Sequence, residues 1–107
     1  MGRSRDPGQH QYVAVAEIGG DIAGYVAWTV DPDRRNGTVV ILAVANGHRR
    51  EHVGTGLCEY AFAEMRSLGA QVVEIGTGGD AFHAPARALY ESLGCVRLPV
   101  AVYYRQL

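Results

Sequence analysis

The sequence predicts an α+β fold: a mixed β-sheet and two helices in the order β-β-β-α-β-α-β. Three strand-like segments separated by turn signals open the chain and indicate an antiparallel meander. An apolar third strand then leads directly into a segment with helical periodicity. A helix between the third and fourth strands requires a parallel pair joined by a right-handed crossover.

The composition is that of one small globular domain. The chain has 107 residues, of which 48% are hydrophobic, and this allows one modest core. We expect residues 1–11 to form a flexible tail and residues 12–107 to form the domain. The formal net charge of -1 provides no basic field for nucleic acid or an anionic membrane. All ten basic residues are Arg, which excludes a lysine nucleophile.

Localisation and redox chemistry follow from features that are missing from the sequence pattern. No apolar run is long enough to span a membrane, and residues 1–8 lack the apolar core of a signal peptide. We therefore expect a cytoplasmic protein. Cys58 and Cys95 form no C-x-x-C pattern and lie in apolar surroundings, so both are expected to be buried free thiols.

The first three strands are predicted at residues 12–18, 22–30 and 38–44. Gly19, Gly20 and Asp21 form the first turn signal, and Asn36-Gly37 closes the second. The third segment reads TVVILAV and is almost continuously apolar. Such a run predicts a central strand that is covered on both faces.

Two helices and two strands are predicted in the second half of the chain. The first helix spans about residues 54–68, with Gly69 as its stop signal, and a strand follows at 71–75. The second helix spans about residues 84–93, with Gly94 as its stop signal, and a last strand spans 99–106. The apolar stripe of the second helix has i, i+3, i+4, i+7 spacing and consists of Ala86, Leu89, Tyr90 and Leu93.

The junction between the third strand and the first helix reads AVANGHRREHVGTGL, residues 43–57. The start of a helix points free N–H groups and the positive end of the dipole at its surroundings, which favours a phosphate. Arg49 and Arg50 can add bidentate contacts, while Gly54 and Gly56 allow close approach of the backbone. The same residues are equally compatible with a solvated basic loop and a helix cap.

This junction resembles the main motif of the GNAT acetyltransferase superfamily. That motif runs from an apolar strand ending in A-V to Arg-x-x-Gly-x-Gly/Ala and a helix with Leu. In the favoured register Arg49 matches the motif's Arg, Gly54 its second glycine, and His52 occupies the place of its first glycine. A second register, beginning at Glu51, restores both glycines but places an acid where the motif has Arg or Gln. We favour the first because His tolerates positive φ and still supplies a backbone N–H.

Residues 83–95, HAPARALYESLGC, resemble the second motif of the same family, A-x-x-L-Y-E-x-x-G-F. The resemblance implies that Tyr90 is the general acid that protonates the leaving coenzyme A thiolate. Tyr90 also lies on the apolar stripe and is a candidate core residue. His83 is a candidate pantetheine contact or helix cap, and Arg87 a candidate phosphate contact or solvent-exposed side chain.

The resemblance implies an N-acetyltransferase that uses acetyl-CoA, needs no metal, and acts on a primary amine, with a small molecule favoured. A main-chain N–H near Leu42, Ala43 or Val44 would stabilise the oxyanion, and this strand edge would bind pantetheine. The predicted cofactor contacts on and around the helix start are Arg49, Arg50, Glu51, His52, Val53, Gly54, Thr55 and Gly56. No general base is assigned; the carboxylates considered are Glu17, Asp21, Glu74 and Asp80.

Family members usually carry a further strand and two helices before the segment seen here. A truncated product, a naturally short member, or a homodimer that completes its site would each account for this difference. Two other functions remain open: a non-catalytic acyl-coenzyme A-binding module, and a structural or interaction domain with a degenerate site.

Overall fold

A computed structural model describes residues 10–48, 51–77, 84–98, 101 and 103–107. The chain divides into two compact units, Met1–Gly76 and Thr77–Leu107. The first unit holds four strands and one α-helix, and the second holds one α-helix among its described residues. The elements are β1 (His10–Ile18), β2 (Asp21–Asp31), β3 (Asn36–Val44), a 3₁₀ turn (Asn46–His48), α1 (Val53–Ser67), β4 (Val72–Ile75) and α2 (Ala84–Ser92).

The sheet has the predicted topology. Its strand order is β1-β2-β3-β4, in which β1, β2 and β3 are antiparallel neighbours and β4 is parallel to β3. The α1 helix connects β3 to β4, as a parallel pair requires. The α+β architecture with a meander followed by a parallel crossover is therefore confirmed.

The core lies between α1 and one face of the sheet. Alternate residues of β2, including Val26, Trp28 and Val30, point towards α1 because side chains along a strand alternate between faces. The helix contributes Leu57, Ala61 and Met65 at helical spacing. These side chains and those of β2 form one buried hydrophobic cluster. Cys58 is also fully buried, with its thiol outside any disulfide, which confirms the prediction for this cysteine.

Both helices end at the glycines that the sequence indicated. Gly69 and Gly94 have φ of +97° and +88°, a conformation that glycine adopts without strain. The N–H of Ala70 donates to the Met65 carbonyl, and that of Cys95 to the Tyr90 carbonyl, both at 3.0 Å. These are the long hydrogen bonds of a Schellman motif, which satisfies carbonyls at the helix end.

The prediction that the third strand is covered on both faces was wrong. Val40 is 53% exposed and Ile41 is 43% exposed. The α1 helix covers the face of β3 that carries Val39 and Leu42, and the opposite face is open at these residues. A continuous apolar run places apolar side chains on both faces of the sheet. In the described fold, only the face that packs against α1 is covered at this point.

The predicted last strand is absent from the described part of residues 99–106. Ala101 and residues 103–106 have no strand structure, and Tyr103 and Tyr104 are more than nine-tenths exposed. The remainder of that segment lies outside the described residues. Residues with high strand propensity fit a pleated, half-buried surface. Propensity alone does not provide a neighbouring strand with which to pair. The described sheet accordingly has four strands.

Candidate cofactor site

The sheet opens between β3 and β4 before β3 ends. Parallel pairing stops at Val39 opposite Ile75, whereas β3 continues to Val44. On its other side β3 stays paired with β2 as far as Gly24 opposite Val44. In the described sheet, the main-chain groups of residues 40–44 that face β4 therefore have no strand partner. An extended ligand with amide groups can pair with such an edge in the manner of an added strand.

A β-bulge marks the start of this opening. The pairing of β2 with β3 shifts from Ala27 opposite Ile41 to Trp28 opposite Val39, so Val40 is an extra residue. A bulge bends its strand and increases the local twist. It provides a physical reason why β3 separates from β4 here, and it redirects the main chain just before Leu42, Ala43 and Val44, all of which are half-buried.

The start of α1 presents free amide groups. The N–H of Gly56 donates to the His52 carbonyl at 3.0 Å and closes the first turn. The N–H groups of Val53, Gly54 and Thr55 precede that bond and have no acceptor within the helix. His52 makes no side-chain cap, and the first turn contains no acidic residue. The positive end of the helix dipole is therefore open to an anion.

His52 holds a left-handed backbone conformation, with φ of 60° and ψ of 24°. A residue in the N-cap position usually has an extended backbone, and the left-handed region normally favours glycine. The motif register that places His52 at the first glycine thus agrees with the backbone that this position requires. The side chain is exposed and leaves the adjacent N–H groups of α1 uncapped.

Replacing His52 with Gly is expected to stabilise the protein by about 0.5–1 kcal/mol, because a side chain in the left-handed region is strained. Urea unfolding of the wild type and the variant measures the free energy of unfolding. His52→Ala is the matched control, since it removes the imidazole but keeps the Cβ that causes the strain. Equal stability of His52→Gly and His52→Ala would contradict the strain at this position.

Hydrogen-bonding contacts hold the described residues between β3 and α1. The Ala45 N–H donates to the Ala23 carbonyl at 2.8 Å, and His48 Nδ1 lies 3.3 Å from the Glu51 carboxylate. The side chain of His48 is 20% exposed and that of Glu51 is 44% exposed. Glu51, predicted as a cofactor contact, therefore has its carboxylate within hydrogen-bonding distance of the His48 ring.

Gly24 fixes the distance between the end of β3 and the start of α1. A Cβ at this position would lie 2.6 Å from the Ala43 carbonyl oxygen and 3.2 Å from side-chain atoms of both Val53 and Leu57. The backbone of β2 is thus in close contact with the strand end and the first helical turns. The predicted site residues at the end of β3 and at the start of α1 consequently lie close together, because both segments pack against Gly24.

Replacing Gly24 with Ala is expected to destabilise the protein by about 1–3 kcal/mol, because the backbone oxygen of Ala43 cannot move aside cheaply. We also expect acetyl-CoA affinity to fall about tenfold, since the strand end and helix start shift apart. Unfolding curves and calorimetric titration measure the two effects.

Gly37→Ala is the matched control for this variant. A Cβ there meets the flexible side chain of Met65, at the far end of α1. It should cost stability and leave acetyl-CoA affinity unchanged. Equal loss of affinity in the two variants would show that Gly24 has no particular effect on the junction.

The second motif lies on α2. Ala86, Leu89 and Tyr90 are half-buried, as is Leu93 just beyond the helix, and this confirms the predicted apolar stripe. Arg87 is also half-buried. Arg49, Arg50, Asp80 and His83 lie outside the described residues, so their predicted contacts stay predictions.

Two chemical alternatives find no support in the described residues. Those residues contain no group of three or more His, Cys, Asp or Glu side chains placed to hold a metal ion. Burial raises the pKa of the half-buried Cys95 thiol, which disfavours a nucleophilic thiolate there. Of the carboxylates considered as a base, Glu17, Asp21 and Glu74 are all exposed.

Two contributors to the site were missed from the sequence. Gly24 carried a usable signal, because a glycine inside a strand pattern often marks close approach of another backbone. The contact between His48 and Glu51 could not be predicted, because its only signal in the sequence is a spacing of three residues within a loop.

Of the helices in the described residues, none has the length and apolar character to cross a membrane.

A mixed sheet that opens after a bulged strand leads into an uncapped helix start, and this arrangement places free amide donors beside an unpaired strand edge in the described residues. A sequence model of the acetyltransferase (GNAT) family matches residues 2–95, and the chain belongs to this family. No curated protein matches it.

Solved structures agree with this family assignment. An aminoglycoside acetyltransferase from an uncultured soil metagenomic sample is 26% identical, with a TM-score of 0.74 over 89% of this chain and 64% of that one. The aminoglycoside N-acetyltransferase AAC(6')-Iy in complex with CoA is 14% identical, with a TM-score of 0.81 over 92% and 77%. A ribosomal-protein-alanine N-acetyltransferase from Brucella melitensis biovar Abortus 2308 is 16% identical, with a TM-score of 0.71 over 91% and 71%. The last two likenesses concern the fold alone, and the chain spans 64% of the length of the first structure.

Proposed function

We propose that the protein is an N-acetyltransferase that transfers an acetyl group from acetyl-CoA to a primary amine. One observation carries the proposal: the unpaired main chain of β3 after Val39 leads to an uncapped α1 start, in a member of the GNAT family. The geometry suits a ligand with an amide-bearing arm and a pyrophosphate. Coenzyme A has both parts.

The two ends of the site bind different parts of the cofactor in this proposal. The main chain at Leu42, Ala43 and Val44 pairs with the amides of pantetheine, in the way that a strand pairs with an edge. The N–H groups of residues 53–55 donate to the pyrophosphate, and Arg49 and Arg50 add charge from the preceding loop. The 26% identical structure, an aminoglycoside acetyltransferase, supports this choice of cosubstrate.

The proposed reaction is direct transfer. The neutral amine nitrogen attacks the thioester carbonyl carbon, and a main-chain N–H of residues 42–44 stabilises the developing oxyanion. The C–S bond then breaks, the acetyl group remains on nitrogen, and Tyr90 gives its proton to the leaving thiolate. The amine proton passes to water or a base that we do not assign. The role of Tyr90 rests on its place in the A-x-x-L-Y-E motif.

The acceptor is proposed to be a small amine. The 26% identical structure is an acetyltransferase for aminoglycosides, which are small molecules, whereas the ribosomal-protein-alanine enzyme shares only the fold. The loop TGGDAFHAPARALYE also resembles bacterial members that act on small molecules. A cytoplasmic location belongs to the same proposal.

Calorimetric titration with acetyl-CoA, followed by thiol release with a panel of amines, tests the proposal. We expect saturable binding and amine-dependent release of free thiol. Binding without turnover on any amine, including a peptide with an N-terminal alanine, would favour the non-catalytic acyl-coenzyme A-binding module. Absence of both heat and thermal stabilisation would contradict every function that uses coenzyme A.

A further inference from the structure

The β1 strand forms one edge of the described sheet. It pairs with β2 alone, so the main-chain groups on its outer side have no strand partner among the described residues. Proteins usually block such edges with Pro, Lys, an inward charge or a bulge on the edge strand. Residues 11–16 read QYVAVA and contain no charged residue and no Pro. As far as the described residues extend, this edge is therefore open to pairing with another strand.

The surroundings of the edge are apolar. A cavity of about 570 Å³ lies between residues 13–16 of β1 and the α1 side chains of Val53, Leu57 and Tyr60. On the sheet face away from α1, Val13 is 61% exposed and Val15 is 53% exposed, and Tyr60 on the helix is 53% exposed. A strand added to β1 would remove apolar surface from water on both faces of the sheet.

We propose that β1 pairs antiparallel with β1 of a second copy of this chain, about a two-fold axis at Ala14. The sequence around Ala14 is suited to this register. It places Val13 opposite Val15 and Tyr12 opposite Ala16, and each Glu17 faces the neutral Gln11 of the other copy. Like charges are therefore not opposed.

The register with its axis at Val15 is less favourable. An axis at Val15 would place the Glu17 carboxylate opposite the apolar side chain of Val13, which offers no hydrogen-bond donor, whereas the axis at Ala14 places it opposite Gln11. The axis at Ala14 also places Tyr12 of one copy across from the small Ala16 of the other, beside the cavity. The two four-stranded sheets then continue into one, which removes both open β1 edges.

Light scattering after gel filtration of the full chain, without cofactor, tests the dimer. We expect the mass of two 11.5 kDa chains for the wild type. The variant with Val13→Lys and Val15→Lys opposes like charges twice across the axis, and we expect its dimer to dissociate with a constant at least about tenfold higher. Val72→Lys is the matched control, because Val72 is an exposed valine on the opposite edge strand.

Mixing oppositely charged variants tests the register itself. Val13→Glu with Val15→Glu should be monomeric alone, and an equimolar mixture with the double Lys variant should restore a dimer of one chain of each kind. A monomeric wild type, a dimer that survives the double Lys change, or a mixture that stays monomeric would each overturn the proposal. So would loss of the dimer in Val72→Lys. Because no cofactor is present, these outcomes are independent of the proposed acetyl transfer.

Discussion

Replacing Tyr90 with Phe should lower turnover about 100-fold while acetyl-CoA affinity stays similar, because the proton for the leaving thiolate is lost. The phenyl ring keeps the half-buried packing that Tyr90 has on α2. Thiol release under saturating acetyl-CoA and amine measures turnover, and calorimetry measures affinity. A thermal unfolding curve of the variant separates loss of chemistry from loss of fold.

Tyr103→Phe is the matched control for Tyr90→Phe. Tyr103 is 91% exposed and lies outside the family motif, so the loss of its hydroxyl should leave turnover unchanged. Unchanged turnover in Tyr90→Phe would make Tyr90 a structural residue of α2. It would leave the cofactor site on β3 and α1 intact, since that site depends on other residues.

Replacing Thr55 with Asp should weaken acetyl-CoA binding about tenfold or more, because a carboxylate next to the pyrophosphate site repels it. The same change should stabilise the unliganded protein by about 0.3–1 kcal/mol, since an acidic residue in the first turn favours the helix dipole. Thr55 is half-buried in a first turn that has no acidic residue. Affinity and stability are therefore expected to change in opposite directions.

Thr55→Asn provides the control, because it has nearly the same shape as Asp without the charge. It should bind acetyl-CoA within about twofold of the wild type if charge causes the effect. Equal weakening by Asn and Asp would indicate a steric effect, and unchanged affinity in Thr55→Asp would place the pyrophosphate away from the α1 start.

Local signals in the sequence predicted four of the five strands, both helices and the ends of those helices. Gly69 and Gly94 stop their helices as expected because the left-handed conformation is a property of single residues. The apolar spacing on α1 predicted the side that is buried, because residues three and four positions apart share one face of a helix, while the stripe residues of α2 are only half-buried. The start of α1 was placed within one residue, at Val53.

The shape of the cofactor site depends on register, which single residues do not encode. The bulge at Val40 and the end of pairing at Val39 arise from the contacts of β3 with two different neighbours. The apolar run of β3 therefore appeared to need two covered faces, although Ile41 is exposed. The prediction of a last strand was wrong for a related reason. Residues 101 and 103–106 have side chains that suit a strand, but they are not paired with a neighbouring strand in the described sheet.

Chemical-shift changes of the ¹⁵N-labelled protein test most directly whether the α1 start binds the pyrophosphate. Titration with coenzyme A should shift the amides of Val53, Gly54 and Thr55 together with those of residues 42–44. Titration with pantetheine, which lacks the pyrophosphate, should shift residues 42–44 and leave the α1 amides unchanged. Equal shifts at α1 with both ligands, or no shift there with coenzyme A, would contradict the proposed site.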